Sequence, residues 1–308
     1  MRGMVMAALG LVLLVGCVDD LEPSTFVSRT RILAAQTSVN GDPTMAYPAP
    51  GDSARVDWLI GYPAEPLPIS WGFLVCPSIV APTGDFICVG DPFGLEVVSE
   101  LTVGVDPSVE FTVPPNVDAQ SLLVAGIVCT NGTPRLDMTG MDFGCEGDNP
   151  GLDQEVVVFN VPLNLDGDGN RNPSPGQILL NQATVVAPND PVPVTGCQGS
   201  ADPALTTISH ATGNPMFTIQ SDAAAFESYN ANGSTETEEI LYAVYTTAGE
   251  MERQFTVIEM PGLTDMLEWE LPPLAEVPPN GQRVRFYIVV RDSRDGFAYT
   301  VRDVCLVP

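Results

Sequence analysis

The sequence predicts an all-β protein that is built as two tandem β-sandwich domains. Short runs rich in β-branched and aromatic residues follow one another along the chain, and 28 glycines and 29 prolines are spread between them. Turn residues that punctuate short apolar runs in this way are typical of sandwiches, and long amphipathic helical periodicity is hard to find. A chain of 308 residues is long enough for two ordinary domains.

The first predicted sandwich covers residues 29–165. Several of its candidate strands alternate apolar and polar side chains, so that Ala54, Val56 and Trp58 share one face. If this domain is immunoglobulin-like, Trp71 lies on a central strand as the core aromatic residue. The candidate strands are 30–37, 53–60, 67–75, 95–104, 108–113, 121–130 and 155–162.

The second predicted sandwich covers residues 177–308 and ends in the clearest hairpin of the chain. Asp295-Gly296 supplies the turn of this hairpin. One face of its first strand carries Val284, Phe286, Ile288 and Val290, and the other carries Arg283, Arg285, Tyr287 and Arg291. The alternation resumes at Phe297, Tyr299 and Val301. The candidate strands are 177–186, 204–209, 215–220, 237–247, 252–259, 265–271, 282–291 and 296–306.

Residues 166–176 are predicted to be an acidic linker between the two domains. No apolar side chain lies between Leu165 and Pro173. A segment without apolar side chains gains little from leaving water, so we expect it not to bury itself.

The amino terminus has the pattern of an export signal. Arg2 is followed by an apolar run from Met4 to Val15, which is too short to span a bilayer. The run closes with Leu14-Val15-Gly16-Cys17, which resembles the lipobox of bacterial lipoprotein precursors. That resemblance implies a signal peptide at residues 1–16, cleavage after Gly16 and lipid on the sulfur and new amino terminus of Cys17. A plain secretory signal with a chance cysteine is the alternative.

The residue directly after Cys17 indicates in which membrane a lipoprotein is retained. In enteric lipoproteins an Asp directly after the lipidated cysteine favours retention in the inner membrane, whereas this chain has Val18 there. We therefore expect an outer-membrane lipoprotein, anchored by its lipid and facing either the periplasm or the cell surface. Residues 17–28 are predicted to be a short lipidated tether.

Six cysteines remain besides Cys17, and an even number in an exported chain favours three disulfides. Cys76 and Cys129 are predicted at the far ends of antiparallel neighbouring strands, which argues against pairing them. The local pairs Cys76–Cys88 and Cys129–Cys145 are favoured, which leaves Cys197–Cys305. Zinc is the alternative, but the chain has no C-x-x-C and its only histidine, His210, lacks ligand spacing.

Several short motifs resemble a recurring pattern in one group of proteins. They are Arg31-Ile-Leu-Ala34, Pro50-Gly51-Asp52, Ile69-Ser-Trp71, Cys76-Pro77, Asn170-Arg-Asn-Pro173 and Val289-Val-Arg-Asp292-Ser-Arg-Asp-Gly296. The pattern is similar to that of uncharacterised lipoproteins of GC-rich gliding soil bacteria. The resemblance implies tandem immunoglobulin-like domains on a lipid anchor, and it implies no activity.

The charge excludes one class of partner. The net charge is −27, the twelve cationic side chains are all arginine, and there is no lysine. An acidic surface of this kind is repelled by phosphate backbones, so we exclude nucleic-acid binding. The membrane is contacted through the lipid, and an envelope protein or surface ligand is the remaining kind of partner.

The sharpest local motif is Asp166-Gly-Asp168-Gly-Asn170. Oxygen-bearing side chains at alternate positions are how calcium-binding loops begin. The rest of an EF-hand is missing, because Arg171 stands at the position of the loop glycine and Gln177 at that of the bidentate glutamate. Asp166, Asp168 and Asn170 are therefore candidate calcium ligands, with a plain acidic linker as the alternative. No other cofactor is predicted.

Catalytic constellations are hard to find in the sequence. A serine or cysteine triad needs a positioned base, and His210 is the only imidazole. Without lysine, Schiff-base chemistry and a P-loop lysine are absent. We therefore predict a cell-envelope lipoprotein with a binding or structural role and no catalytic activity. A calcium-dependent adhesin and a secreted hydrolase that uses paired carboxylates are the alternatives.

Overall fold

The computed structural model describes residues 24–137, 142–147, 154–167, 169–185, 196–198, 205–231 and 233–308. The protein is all-β in these residues, as the sequence predicts, and its strands form paired sheets around hydrophobic cores. The only helices among them are single 3₁₀ turns at His210–Thr212, Ala223–Ala225 and Leu274–Glu276. None of these described turns has the length or apolar character needed to cross a bilayer.

The first half of the chain forms two facing sheets, which we call the N-terminal sandwich. One sheet has the order β1-β2-β6, and the other has the order β10-β7-β3, with β4 and β5 both paired to β3. In immunoglobulin notation these are the A-B-E and G-F-C orders, with β5 as C′. The strands are β1 (Arg31–Val39), β2 (Ser53–Gly61), β3 (Ile69–Val80), β4 (Phe86–Cys88), β5 (Gly94–Thr102), β6 (Ser108–Thr112), β7 (Ser121–Thr130), β8 (Thr133–Asp137), β9 (Asp142–Glu146) and β10 (Gln154–Pro162).

The core of the N-terminal sandwich is aromatic at its centre. Trp58 of β2 stacks on Phe73 of β3 with ring centroids 4.0 Å apart, which joins the two sheets. Trp71 is 5% exposed on the same strand as Phe73, between β7 and β5, so its predicted core position is confirmed. Alternation places both rings inward, because residues two apart on a strand share a face.

Three short strands of the N-terminal sandwich, β4, β8 and β9, were not predicted from the sequence. β4 extends β3, and β8 and β9 form a hairpin over the outer face of the sheet, where the Leu136 side chain lies directly over Gly72. Under these strands lies a second apolar layer that contains Leu74 and Leu123. The outer face of this sheet is therefore partly buried as well.

The second half of the chain forms the C-terminal sandwich. Its sheets have the orders β12-β11-β14-β20-β18 and β13-β22-β21-β17-β19, and β13 runs parallel to β22. In immunoglobulin notation, β11, β14 and β20 again have the A-B-E order, and β22, β21 and β17 have the G-F-C order. The strands are β11 (Gln177–Leu180), β12 (Ala183–Thr184), β13 (Thr206–Ser209), β14 (Met216–Gln220), β15 (Ser228–Ala231), β16 (Ser234–Thr237), β17 (Ile240–Thr246), β18 (Glu250–Met251), β19 (Phe255–Ile258), β20 (Thr264–Glu270), β21 (Gln282–Asp292) and β22 (Phe297–Val307).

The predicted terminal hairpin is confirmed as β21 and β22. Phe286 of β21 makes edge contacts with Phe217 and Trp269 of the facing sheet, at centroid distances of 4.6 and 4.9 Å. Val284, Ile288 and Val290 belong to the same core. Asp295 has a φ of 64°, so the turn uses the left-handed region that Asp tolerates.

The end of the predicted tether is not solvated, which corrects its boundary. Thr25 is 3% exposed and Val27 fully buried. The Thr25 carbonyl accepts a hydrogen bond from the Thr246 amide, and the Val27 amide donates to the Thr246 carbonyl. Backbone pairing with β17 gives this segment a partner that its polar composition did not reveal.

The expectation that residues 166–176 stay unburied is wrong at Asn170. Its side chain is 0% exposed, although Asp166 and Arg171 beside it are exposed. The burial is polar in origin. The Asn170 side-chain amide donates to Asp292 of the C-terminal sandwich, and the Asn170 backbone carbonyl accepts from the Ala46 amide of the N-terminal sandwich. The linker is therefore part of the folded body.

Candidate functional site at the junction of the two sandwiches

The two sandwiches meet on the outer face of the sheet that contains β17, β21 and β22, and we call this contact region the junction. Leu59 of the N-terminal sandwich and Val289 of the C-terminal sandwich belong to one apolar cluster there. Its buried members are Val27, Ala34, Leu59, Ala243, Tyr287 and Val289, with Leu33, Tyr245, Tyr299 and Val301 packed against them. Both faces of this sheet are thus covered.

A tyrosine joins the sandwiches at the centre of the junction. The Tyr287 hydroxyl accepts from the Tyr62 amide at 2.9 Å and donates to the Tyr62 carbonyl at 3.3 Å. Tyr287 is 2% exposed, and burial raises its pKa. Since both backbone groups of Tyr62 are satisfied by one hydroxyl, this contact fixes the relative position of β21 and the end of β2.

A buried ion triad lies on the same outer face. Asp303 of β22 receives a bidentate pair from Arg285, with nitrogen–oxygen distances of 2.9 and 3.0 Å. The Arg283 Nε atom lies 2.6 Å from the other side of the same carboxylate. All three side chains are at most 6% exposed. The two arginines expected on this face by alternation therefore share one acid, which offsets one of their two positive charges and makes their burial less costly.

Asp292, at the end of β21, gathers donors from the linker and the hairpin turn. Its carboxylate accepts from the Arg294 and Gly296 amides at 2.8 Å each and from Asn170 Nδ2 at 3.2 Å. A side chain at position 296 would overlap this carboxylate and the Arg171 carbonyl, so the close approach requires glycine. Burial raises the pKa of Asp292 despite these donors.

A second buried acid, Glu238, lies beside this group. Its side chain is 0% exposed and contacts Arg294, with Oε1 3.4 Å from Nη1. Burial, followed by the nearby charge of Asp292, raises the pKa of Glu238 to about 7. The Arg294 guanidinium also lies over the rings of Tyr229 and Tyr47, at 4.9 and 5.8 Å. One arginine thus faces two acids and two aromatic rings.

Asn172 binds both sandwiches with a single side chain. Its Nδ2 atom donates to the Thr37 and Pro43 carbonyls at 2.6 and 2.9 Å, and its Oδ1 atom accepts from the Phe297 amide at 3.0 Å. Thr37 belongs to β1, whereas Phe297 begins β22. An amide can form this bridge because it carries donors and an acceptor together.

Three of the six motifs of the resemblance meet at the junction. Asn170 contacts Asp292 of the closing motif, Asn172 accepts from the Phe297 amide directly after that motif, and Ala34 lies in the apolar cluster. Sequence reasoning missed Glu238 and the role of Asp292 as an acceptor. The available signal for Asp292 was a glycine four positions later, which is typical of an aspartate that caps its own turn.

The candidate calcium ligands are not all placed. Asp166 is exposed, and Asp168 lies outside the described residues. Asn170 directs Nδ2 to Asp292 and to the Arg294 carbonyl, while its Oδ1 atom is buried without a hydrogen-bond partner. Among the residues with described positions, no three His, Cys, Asp or Glu side chains form a metal-binding group. Calcium binding stays a prediction.

The six cysteines come together in the pairs that the sequence favours. The Cα–Cα distances are 5.6 Å for Cys76–Cys88, 5.7 Å for Cys129–Cys145 and 5.6 Å for Cys197–Cys305. The first two clamp β4 and the β8–β9 hairpin onto their sheet, and the third ties residue 197 to β22. Cys17 lies outside the described residues.

His210 begins a 3₁₀ turn directly after β13. Its Nε2 atom lies 3.0 Å from the Pro272 carbonyl, so this ring nitrogen has a backbone partner. A backbone carbonyl can orient the imidazole but supplies no nucleophile.

No protein-family model matches the chain, and a search of curated proteins finds no match either.

Proposed function

We propose that the chain is a lipid-anchored envelope protein that holds a rigid two-sandwich body close to a membrane and acts by binding or by structural support, without catalysis. The observation that carries the proposal is the burial of Thr25 and Val27 against β17. With the lipid on Cys17, the body begins only seven residues after the anchor.

The short distance from anchor to body limits where the protein can act. Seven residues span at most about 25 Å when fully extended. The anchored end would leave the body beside the junction, since Thr25 pairs with Thr246 of β17. Both sandwiches would then lie near the membrane, and loops at their free ends would carry ligand contacts.

The junction supports a body that moves as one unit. Asn172, Tyr287 and Asp292 each make buried or half-buried hydrogen bonds between segments far apart in the chain. Separating the sandwiches would expose the apolar cluster and break these hydrogen bonds. A fixed geometry suits a spacer or a two-site binding module better than a flexible pair of domains.

Lipid anchoring is tested by expressing the parent and Cys17→Ser in a bacterial host with a lipoprotein pathway. We expect the parent to enter the detergent phase in detergent phase partition and to incorporate labelled fatty acid. Cys17→Ser should remain unprocessed or enter the aqueous phase, without label. Equal labelling of both chains would refute the anchor.

Membrane location is tested with Val18→Asp, which places an acid directly after the proposed lipidated residue. We expect the parent to fractionate with the outer membrane and Val18→Asp to shift toward the inner membrane in an enteric host. Val18→Asn is the matched control for side-chain size. A parent that fractionates with the inner membrane would contradict the proposed location.

A calcium-dependent surface adhesin is the second candidate function. It is favoured by the buried Asn170 Oδ1 atom that lacks a partner, four positions after the exposed Asp166. Calorimetry with calcium tests it on the parent and on a variant with Asp166→Asn and Asp168→Asn. Asp85→Asn with Asp91→Asn, two exposed acids away from the junction, is the control pair. Absence of binding heat in the parent would rule this candidate out.

A further inference from the structure

Arg302 differs from most arginines of this acidic chain in its surroundings. Nine of the described arginines lie within ion-pair distance of a carboxylate. Arg302 has no such partner among the described residues, and its Nη1 atom contacts only the Thr300 hydroxyl and the Val301 carbonyl. Its Nε atom is buried and has no hydrogen-bond partner.

Arg302 points into the C-terminal sandwich and not away from it. It pairs across β21 and β22 with Phe286, whose side chain lies in the core. Paired residues of antiparallel strands share a face, so the arginine enters the space between the two sheets. Burial lowers the pKa of Arg302, although an arginine stays charged at neutral pH.

The space that Arg302 enters is a cavity of 630 Å³. Its apolar lining includes Ile178 and Val185, and its polar lining includes Gln177, Thr184, Gln220, Ser221 and Asp222. A volume of this size is typical of small-molecule sites. Polar and apolar groups contribute about equally to its lining, and the cavity is open to solvent, so a charged ligand suits it better than an apolar one.

A second polar group in this cavity lacks a partner. Ser221 is 5% exposed, and its hydroxyl makes no hydrogen bond. Buried polar atoms in native proteins are normally satisfied, so two orphaned donors on one cavity indicate a missing acceptor. Asp222 is the acid in the lining, and its carboxylate caps a 3₁₀ turn by accepting from the Ala224 amide at 3.1 Å. It forms no ion pair with Arg302.

We propose that this cavity binds a small organic anion, with Arg302 and Ser221 holding its carboxylate or phosphate head group and Ile178 and Val185 packing against its body. The guanidinium offers Nη–H donors to either head group, and its covered Nε–H and the covered Ser221 hydroxyl complete the contact once these side chains rotate toward the cavity. In a chain of net charge −27, an arginine kept free of carboxylates is available for a ligand of opposite charge. The site lies apart from the junction and does not depend on the lipid anchor.

The test uses the purified full-length chain with inorganic phosphate and with sodium succinate at constant ionic strength, balanced with sodium chloride. We expect saturable heat by calorimetry and a higher melting temperature with at least one probe. Binding of phosphate alone identifies a phosphate head group, and binding of succinate alone identifies a carboxylate. Absence of saturable binding for both probes overturns the proposal.

Variants locate the site. Arg302→Gln should abolish the binding and the shift in melting temperature, and Ser221→Ala should weaken binding roughly five- to tenfold, as expected for one hydrogen bond. Arg291→Gln removes the same charge from an exposed position outside the cavity and should bind like the parent. Equal binding by the parent and Arg302→Gln overturns the proposal. Should Arg302→Gln fail to fold, the Nε–H resonance of Arg302 in the parent must shift as the probe is added, and an unmoved resonance refutes the site.

Discussion

Asp303 lies between two arginines in an almost fully buried part of the junction. Its carboxylate contacts Arg285 and Arg283, and the three side chains are at most 6% exposed. A buried pair adds little net stability when intact, but removing one partner leaves the others desolvated and uncompensated. The role of this acid is therefore to permit the burial of the arginines beside it.

We expect Asp303→Ala to lower the free energy of unfolding by about 3–5 kcal/mol, because it leaves two buried guanidinium groups without their carboxylate. Urea denaturation measures the change. Glu110→Ala is the matched control, since Glu110 pairs with Arg55 at 2.8 Å on the surface, and there we expect about 0–1 kcal/mol. Equal losses for the two variants would contradict the account of the triad.

Glu238 makes the stability depend on pH. Burial raises its pKa from 4.5 to about 7 in the folded chain. The folded state therefore holds this proton more tightly than the unfolded state between pH 4.5 and 7. The stabilising contribution of the proton is complete below pH 4.5 and is lost as the pH rises through 7.

We expect the melting temperature of the parent to fall as the pH is raised from 4.5 to 8, and Glu238→Gln to flatten that decrease, because the amide does not titrate. Melting curves at several pH values measure the effect. Glu239→Gln changes the exposed neighbour and should follow the parent profile. A Glu238→Gln profile that coincides with that of the parent would show that this carboxyl is not the titrating group.

Strand positions follow from alternation where a strand has one buried and one polar face. The hairpin of β21 and β22 was predictable in this way, since Val284, Phe286 and Ile288 define its core face. The burial of Arg283 and Arg285 was not predictable, because the surface that covers them belongs to another part of the chain. The alternation predicts which residues share a face of a strand, but it does not predict what that face contacts.

Two physical reasons explain why some strands and contacts could not be predicted from the sequence. β8 and β9 are short, and Gly144 interrupts the second, so local propensity is weak and the Cys129–Cys145 disulfide stabilises the hairpin. Asn170 is buried and Asn172 half-buried, and both are held by partners more than a hundred positions away. A local pattern carries no information about such partners.

The disulfides should differ in their contribution to stability. Cys197–Cys305 closes a separation of 108 residues, whereas Cys76–Cys88 closes 12. In the chain-entropy model, removing the disulfide of the longer loop lowers the free energy of unfolding by about 2 kcal/mol more than removing that of the shorter loop. Chemical denaturation of the two double-alanine variants measures this difference. A larger loss for the Cys76–Cys88 variant would show that native contacts, and not loop length, set the order.

At the scale of the whole molecule, the junction links the unfolding of the two sandwiches. Each sandwich has its own core, and the apolar cluster between them adds a third buried region. When the contact between two such units is strong, opening one exposes the surface of the other, so both unfold in one transition. The polar groups at the junction strengthen this linkage, because each would lose its partner on separation.

We expect the parent to unfold in a single calorimetric transition and a variant with Asn172→Ala and Tyr287→Phe to unfold in two. The first change removes the side chain that bridges β1 and β22, and the second removes the hydroxyl that binds both backbone groups of Tyr62. Each loss weakens the junction and leaves both cores intact. The comparison of calorimetric with van't Hoff enthalpy shows the number of transitions.

The control for this variant is Asn214→Ala, which deletes an amide of the same size within one sandwich. Asn214 donates to Glu268 at 2.7 Å and accepts from the Leu271 amide at 3.1 Å, both in the C-terminal sandwich. Its loss should lower the melting temperature without dividing the transition. Two transitions in the parent would mean that the sandwiches already unfold separately, and the proposed rigid body near the membrane would then lose its physical basis.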